Sequence, residues 1–331
     1  MRIEFDEAVG ILKVSDNILI LCHRNPDGDT LGSGYALLRA LKAMGKRVRL
    51  YCDDSIPQKF SYLYEGVEIE EFEEKLIVSV DVAERKLLGE RGNELYGDRV
   101  DLSLDHHGTS RLFAEKTYCE PESASACEIL YSVISALGVE INSEIASCLY
   151  TGISTDTGCF RYSNVTPRTH RIAAELIEKG ADHSGINVKM FETKSMNNIM
   201  LERMCLESLE SYGEGKLAVI TVTKKMLELC GTDKSALDAI KPITRQIEGV
   251  EIGVTVKEEN DGKTGISVRT GESYDASLIC AHFGGGGHAR AAGCEMKASP
   301  EEAKDRVVKY ILEEVVSSIV TEAPPVVAEA R

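Results

Sequence analysis

Apolar and polar positions fall in blocks along the chain, and the blocks predict strands and helices in regular succession. Apolar residues near helical spacing (Ile3, Phe5, Ala8, Val9, Leu12) predict an amphipathic helix over residues 1–16. Residues 17–22 are a continuous apolar run of strand length, ending in His23-Arg-Asn-Pro-Asp-Gly-Asp29, where Pro26 and Gly28 require a turn. Thr30 or Ser33 is expected to cap a helix running through residues 34–44 to Gly45. Residues 47–51 are the next strand, so the chain opens with a βαβ unit. A second apolar strand, 75–80, ends at Asp81, and the polar, Gly-containing stretch 85–98 reads as a loop or short helix. A third strand, 99–104, ends on Asp105, His106 and His107, and helical spacing follows over 123–137, 143–155 and 169–179.

Residues 181–198 carry no strong periodic core and read as a linker. Beyond them the pattern predicts a helix over 199–212, a strand over 216–222 and helical stretches to about 247. Strands at 251–256 and 265–269 are joined by a hairpin signal at 259–262. A short helix over 275–283 leads into Phe283-Gly-Gly-Gly-Gly-His288-Ala-Arg290-Ala-Ala-Gly293, and a last helix covers 300–319. Residues 321–331 read as a disordered tail. The expected architecture is α/β: a mostly parallel sheet flanked by helices over 1–180, then a smaller α/β domain over 199–320.

Composition narrows the function. The 331 residues are 43% hydrophobic and 28% charged, as in ordinary soluble globular proteins. No apolar run approaches a membrane span, and the acidic N-terminus lacks a secretory h-region. Ten scattered cysteines with no C-x-x-C pair suit reduced, mostly buried thiols in a cytoplasmic protein and argue against a zinc ribbon. The net charge of −16 excludes a broad basic face for long duplexes, which needs many Lys and Arg contacts to phosphate. An anionic substrate must therefore be held locally, by metal ions and a few arginines, and small substrates fit that limit.

The polar residues that close the apolar segments carry the chemistry. One strand delivers His23, Asp27 and Asp29, the next Asp81, the third Asp105, His106 and His107, and the helix at 143–155 delivers Asp156. A parallel sheet would gather the three strand ends along one edge, where ligands bind in open α/β sheets. Crowded carboxylates repel unless counter-charge is present. Asp27, Asp29, Asp81 and Asp156 supply four negative charges, which two divalent ions neutralise. Mixed carboxylate and imidazole donors suit Mn²⁺, Fe²⁺ or Co²⁺, with Zn²⁺ next and Mg²⁺ less favoured. Two ions about 3.5–4 Å apart would clamp an in-line phosphoryl displacement and activate a hydroxide. Any one of these aspartates, taken alone, reads equally as a cap or turn residue, and the EF-hand spacing is absent. Acid recurring at successive element ends argues against coincidence. The run from Gly284 to Gly293 is a second candidate, because exposed N–H groups at Gly286 and Gly287 would bind an anion, joined by His288, Arg290 and Arg269. A Gly-rich hinge is the plain alternative. Arg161 and Arg168, around the turn after Asp156, are weaker candidates, with pairing to surface acids as their plain alternative.

Taken together these motifs resemble the DHH phosphoesterases of the subfamily with a C-terminal DHHA1 domain, over nearly the whole chain. His23 to Asp29 is similar to the family's first motif, Val80-Asp81 to its second, Asp105-His106-His107 to its third and Asp156 to its fourth. Gly284 to His288 with Ala291-Ala-Gly293 is similar to the C-terminal signature. The resemblance implies one metal held by His23, Asp27 and Asp81, and another held by Asp29, Asp81, His106 and Asp156. It implies that Asp105 orients, that His107 meets the scissile phosphate, and that Arg269, His288 and Arg290 bind the far end of the substrate. An active site in the cleft between the domains follows from the same resemblance. Length and the lack of extra domains resemble the nano-RNase branch (oligoribonuclease and 3′-phosphoadenosine 5′-phosphate phosphatase). The implied substrates are short RNA oligonucleotides, dinucleotides and 3′-phosphoadenosine 5′-phosphate. Hydrolysis of pApA or cyclic di-AMP is the alternative within this chemistry, a non-catalytic nucleotide sensor is the alternative outside it, and a homodimer is left open.

Overall fold

A computed structural model describes residues 1–68, 70–108, 110–232, 240 and 243–316. The chain forms two compact units, Met1–Thr193 and Lys194–Arg331. The tail expected at 321–331 and the end of the last predicted helix lie outside the described residues.

The first unit runs α1 (Phe5–Val14), β1 (Ile18–Leu21), α2 (Gly28–Ala43), β2 (Val48–Tyr51), α3 (Ser61–Tyr64), β3 (Leu76–Val80) and α4 (Glu90–Tyr96). It continues with β4 (Leu102–Asp105), β5 (Lys116–Cys119), α5 (Ala126–Ala136), α6 (Ser143–Asp156), α7 (Pro167–Glu178) and α8 (His183–Asn187). The five strands form one wholly parallel sheet in the order β2-β1-β3-β4-β5. Its central strands read as continuous apolar runs because both faces are covered. Ile18 and Ile20 join the core beneath α1, α2, α5 and α6, while Leu19 and Leu21 join Ile77, Leu88 and Tyr96 on the other face. The alternation follows from the two-residue period of a strand.

The second unit contains α9 (Met196–Glu207), β6 (Glu210–Tyr212), β7 (Leu217–Val222), α10 (Lys224–Cys230), β8 (Ile252–Glu258) and β9 (Thr264–Thr270). It continues with α11 (Ala276–His282), β10 (Gly286–His288), β11 (Ala291–Met296) and α12 (Pro300–Tyr310). Its six-stranded sheet has the order β10-β11-β9-β8-β7-β6; β7 and β8 pair in parallel and the other pairs are antiparallel. Both units are α/β, as the apolar pattern predicts.

Several elements depart from the sequence expectation. The helix expected to be capped by Thr30 or Ser33 is capped by Asp27, whose carboxylate accepts the Asp29 and Thr30 N–H groups at 3.0 and 3.1 Å. A free carboxylate at the N-cap satisfies donors that the first turn leaves open. Strand β5 was not expected, because Lys116-Thr-Tyr-Cys119 is a half-exposed edge strand without an apolar run. The helix expected over 199–212 ends at Glu207, and Glu210–Tyr212 is instead an edge strand. Within the stretch read as a linker, Asp182 caps α8 and Asn187 bonds Ser154 and Tyr150 of α6. The glycine run near 285 is half of a β-hairpin, with Gly286 opposite Gly293 and His288 opposite Ala291.

Candidate metal centre

The strand order 2-1-3 places a topological switch point between β1 and β3, and α/β sheets bind ligands outside the carboxyl ends of the strands at such a point. His23 follows β1, Asp81 follows β3, and Asp105 ends β4 with His106 and His107 behind it. Asp27 and Asp29 arrive on the cap and first turn of α2, and Asp156 on the last residue of α6. The structure brings all eight residues together. His23 Nε2 lies 3.5 Å from both Asp27 Oδ1 and Asp81 Oδ2. His106 Nε2 lies 3.5 Å from Asp81 Oδ1, 3.6 Å from Asp156 Oδ2 and 3.8 Å from Asp29 Oδ2. His107 Nδ1 is 2.8 Å from Asp105 Oδ1 and 3.6 Å from Asp81 Oδ1.

Glycines make this convergence sterically feasible. A Cβ at Gly32 of α2 would sit 2.4 Å from the Cys148 carbonyl of α6, and one at Gly152 would sit 2.2 Å from Cys127 Sγ and 2.6 Å from Asp29 Oδ1. Helices α2, α5 and α6 therefore meet closely, with Asp29 between them. Its buried carboxylate accepts the Ala126 and Cys127 N–H groups at 2.6 and 3.0 Å, from the first turn of α5. A helix N-terminus favours an anion there. Asp81 adopts φ 58°, a left-handed conformation that costs energy outside glycine, asparagine and aspartate. That turn takes the chain off β3 while the Asp81 N–H still bonds Leu104 O at 3.0 Å.

The His23 and His106 imidazoles are oriented from behind. His23 Nδ1 bonds the Arg24 carbonyl at 2.7 Å and His106 Nδ1 bonds the Ser123 carbonyl at 3.2 Å. A carbonyl only accepts, so Nδ1 carries the proton and Nε2 is the atom turned to the acids. Burial alone would lower both histidines; the Asp27 and Asp81 carboxylates instead raise His23 to about 11, and Asp81, Asp29 and Asp156 raise His106 to about 10. Burial and its acidic neighbours push Asp29 well above the usual carboxylate range, while burial, opposed by His106 and then reinforced by Asp81, brings Asp156 up to about 7. Burial would raise Asp81 too, but His106 and His23 outweigh it and hold that carboxyl far below the usual range.

These features fit divalent cations. Among the described residues, three groups could hold one: His23, Asp27 and Asp81; Asp29, His106 and Asp156; Asp81, His106 and His107. Separations of 3.5–3.8 Å are too long for hydrogen bonds. Two donors bound to one ion at about 2.0–2.2 Å lie about 3–3.6 Å apart, which is close to this spacing. The buried Asp81 Oδ1 has no hydrogen-bond partner, as expected of an atom meant for a cation.

The candidates from Arg269 to Arg290 lie in the second unit. Arg269 is on β9 opposite Ala291, and its Nη1 donates to the Val268 carbonyl at 3.1 Å. Arg290 Nη1 donates to the Gly271 and Tyr274 carbonyls, at 2.5 and 2.8 Å. Gly286, Gly287 and the backbone of His288 form β10; a Cβ at Gly287 would lie 2.7 Å from Ala292 Cα, so close strand pairing alone requires glycine there. Arg168 pairs with Glu120 and bonds Ser132, and Arg161 Nε donates to Gly158 O at 2.6 Å. Sequence reasoning missed the Ser123 carbonyl and the Ala126 and Cys127 N–H groups, because backbone atoms leave no residue signature. Ser125-x-x-Glu128 was the available signal, since that spacing marks a helix start.

Two family descriptions match this chain: the N-terminal domain of the DHH family over residues 17–153, and the DHHA1 domain over residues 219–317. The chain is 31% identical over 312 residues to the bifunctional oligoribonuclease and PAP phosphatase NrnA of Thermus thermophilus, covering 91% of each. It is 25% identical to the protein of the same description from Bacillus subtilis, over 91% of this chain and 96% of that one. An exopolyphosphatase-related protein from Bacteroides fragilis shares the fold with a TM-score of 0.84 at 24% identity, over 93% of this chain and 96% of that one. Thermus thermophilus RecJ, solved in complex with Mn²⁺, shares it with a TM-score of 0.56 at 16% identity, over 93% of this chain and 54% of RecJ. By these matches and by its domain order, the chain belongs to the DHH family, with a DHHA1 domain after the DHH domain.

Proposed function

We propose that this protein is a metal-dependent hydrolase of phosphoester bonds, acting on short oligoribonucleotides and dinucleotides and on 3′-phosphoadenosine 5′-phosphate. The observation that carries the reading is the convergence of His23, Asp27, Asp29, Asp81, His106 and Asp156 on one sheet edge, with Asp81 between the two imidazoles. The names of the relatives from Thermus thermophilus and Bacillus subtilis support the substrate class. In this reading His23, Asp27 and Asp81 hold one divalent ion, and Asp29, Asp81, His106 and Asp156 hold the other. Bound ions would offset the carboxylate charge, polarise the phosphate and make a water more acidic. Mixed carboxylate and imidazole donors favour Mn²⁺, the ion present in the RecJ structure of the same fold.

The chain's own groups then have separate tasks. Asp105 accepts the His107 Nδ1 proton, which fixes the ring and leaves its Nε2 for the phosphate or the leaving group. Arg269, Gly286, Gly287, His288 and Arg290 bind the part of the substrate away from the reacting bond. The −16 charge supports small substrates over long duplexes. Ten free cysteines and no disulfide suit a reducing, cytoplasmic setting.

A substrate panel tests the proposal: 3′-phosphoadenosine 5′-phosphate, dinucleotides, RNA pentamers, cyclic di-AMP and pyrophosphate, each with Mn²⁺. Turnover concentrated on the first three, abolished by a chelator and restored better by Mn²⁺ than by Mg²⁺, is expected. Preference for cyclic di-AMP would move the protein to cyclic dinucleotide hydrolysis. Tight nucleotide binding with no turnover at all would make it a sensor.

A further inference from the structure

Asp29, His106 and Asp156 reach one point from three separate elements, and a single short segment orients two of them. The Ser123 carbonyl accepts from His106 Nδ1, and the Ala126 and Cys127 N–H groups hold the Asp29 carboxylate. Asp156, the last residue of α6, is not joined to that segment by any of these contacts. The side-chain amide of Asn164 closes this gap. Its Nδ2 donates to Ala124 O at 2.9 Å, inside the orienting segment, and to Asp156 O at 3.2 Å. Both partners are carbonyls, which only accept, so the two amide protons are the groups that match them.

The chain between Asp156 and Asn164 is strained in a way that allows this contact. Gly158, Cys159 and Phe160 take φ values of 56°, 59° and 61°, three left-handed residues in succession. Such residues normally occur singly. The turn is held by Cys159 N–H to Ser154 O at 2.7 Å, Phe160 N–H to Thr157 Oγ1 at 3.0 Å, and the Phe160 ring stacked on His170. An observed backbone outlier of this kind is grounds for asking what it achieves. Here it returns Asn164 to the carbonyl of Asp156.

We propose that Asn164 is a positioning residue for the ion held by Asp29, His106 and Asp156, tying the end of α6 to the segment that orients the other two ligands. The proposal rests on the two-ion reading above. The plain alternative is that Asn164 merely satisfies an open carbonyl at a helix end. A cap of that sort would change stability without distinguishing one ion from the other.

Mn²⁺ titration calorimetry on the full chain separates these. Asn164→Ala, and the uncharged, similarly sized Asn164→Leu, neither of which has an amide donor, should leave one ion within about two-fold of wild type and weaken the other about 10–100-fold, the usual effect of losing a partner behind a ligand. Asn164→Ser, with one donor, should fall between them and covers the case in which the alanine variant fails to fold. Two ions at wild-type affinity would overturn the proposal. So would equal weakening of both ions with a lower metal-free thermal midpoint, which would assign Asn164 to capping. Wild type binding a single ion would remove the two-ion reading itself, before any variant is compared.

Discussion

Asp81 is placed between His23 and His106, at 3.5 Å from each Nε2, in a left-handed backbone conformation and with one carboxylate oxygen unpartnered. Asparagine tolerates that conformation and alanine does not, so Asp81→Asn isolates the charge from the backbone. We expect Asp81→Asn to lower kcat by at least about a hundredfold, since a direct ligand should cost no less than the groups behind it. Calorimetry should show both Mn²⁺ ions weakened; retention of either at wild-type affinity would contradict a shared role. The raised pKa values add a pH dependence. His23 at about 11, His106 at about 10 and Asp156 at about 7 are protonated at lower pH, and a cation must displace those protons. Mn²⁺ affinity should therefore rise with pH, more steeply below 7, where Asp156 also holds its proton. Titration in buffers of different ionisation enthalpy would show proton release on binding, and a flat profile would disprove the assignment. The acids and histidines were legible in the sequence because they cluster just beyond or at the ends of its apolar segments. The groups that aim them were not, being backbone atoms and one amide eight residues past Asp156.

At the scale of elements, the close meeting of α2, α5 and α6 decides where Asp29 and Asp156 stand. Gly152→Ala would drive a methyl group into Cys127 Sγ and Asp29 Oδ1. A loss of about 1–3 kcal/mol is expected, seen as a lower thermal midpoint, together with weaker Mn²⁺ binding. Gly10 in α1 is the contrast, with nothing within 4 Å of an added Cβ. Gly10→Ala should stabilise the protein by about 0.5–1 kcal/mol and leave metal binding unchanged. Equal effects at the two positions would refute the packing argument. Strands β1 and β3 of the parallel sheet were readable because burial on both faces makes them nearly continuous apolar runs. Edge strands β5 and β6 were not, since half-exposed residues such as Lys116 and Glu210 carry no such run.

For the whole molecule, catalysis is proposed to reside in the first unit and substrate recognition to draw on the second. Arg290 is the sharpest probe of that division, because its guanidinium also holds the Gly271 and Tyr274 carbonyls. Arg290→Ala should raise KM for dinucleotides several-fold more than for a generic aryl phosphodiester, with kcat on the diester near wild type. An equal rise on both substrates would limit Arg290 to holding its loop in place.

By itself the sequence determined the α/β class, the parallel sheet of the first unit, and which carboxylates and imidazoles end its elements. Hydrophobic periodicity and abrupt polar closures are local properties, so they survive without coordinates. Only the tertiary structure decided that β1 and β3 lie side by side, that Asp27 is a cap, and that Ser123, Ala126 and Cys127 hold His106 and Asp29 from elsewhere in the chain. Those relations depend on pairing between distant segments and on backbone groups that every residue possesses, so no residue type announces them.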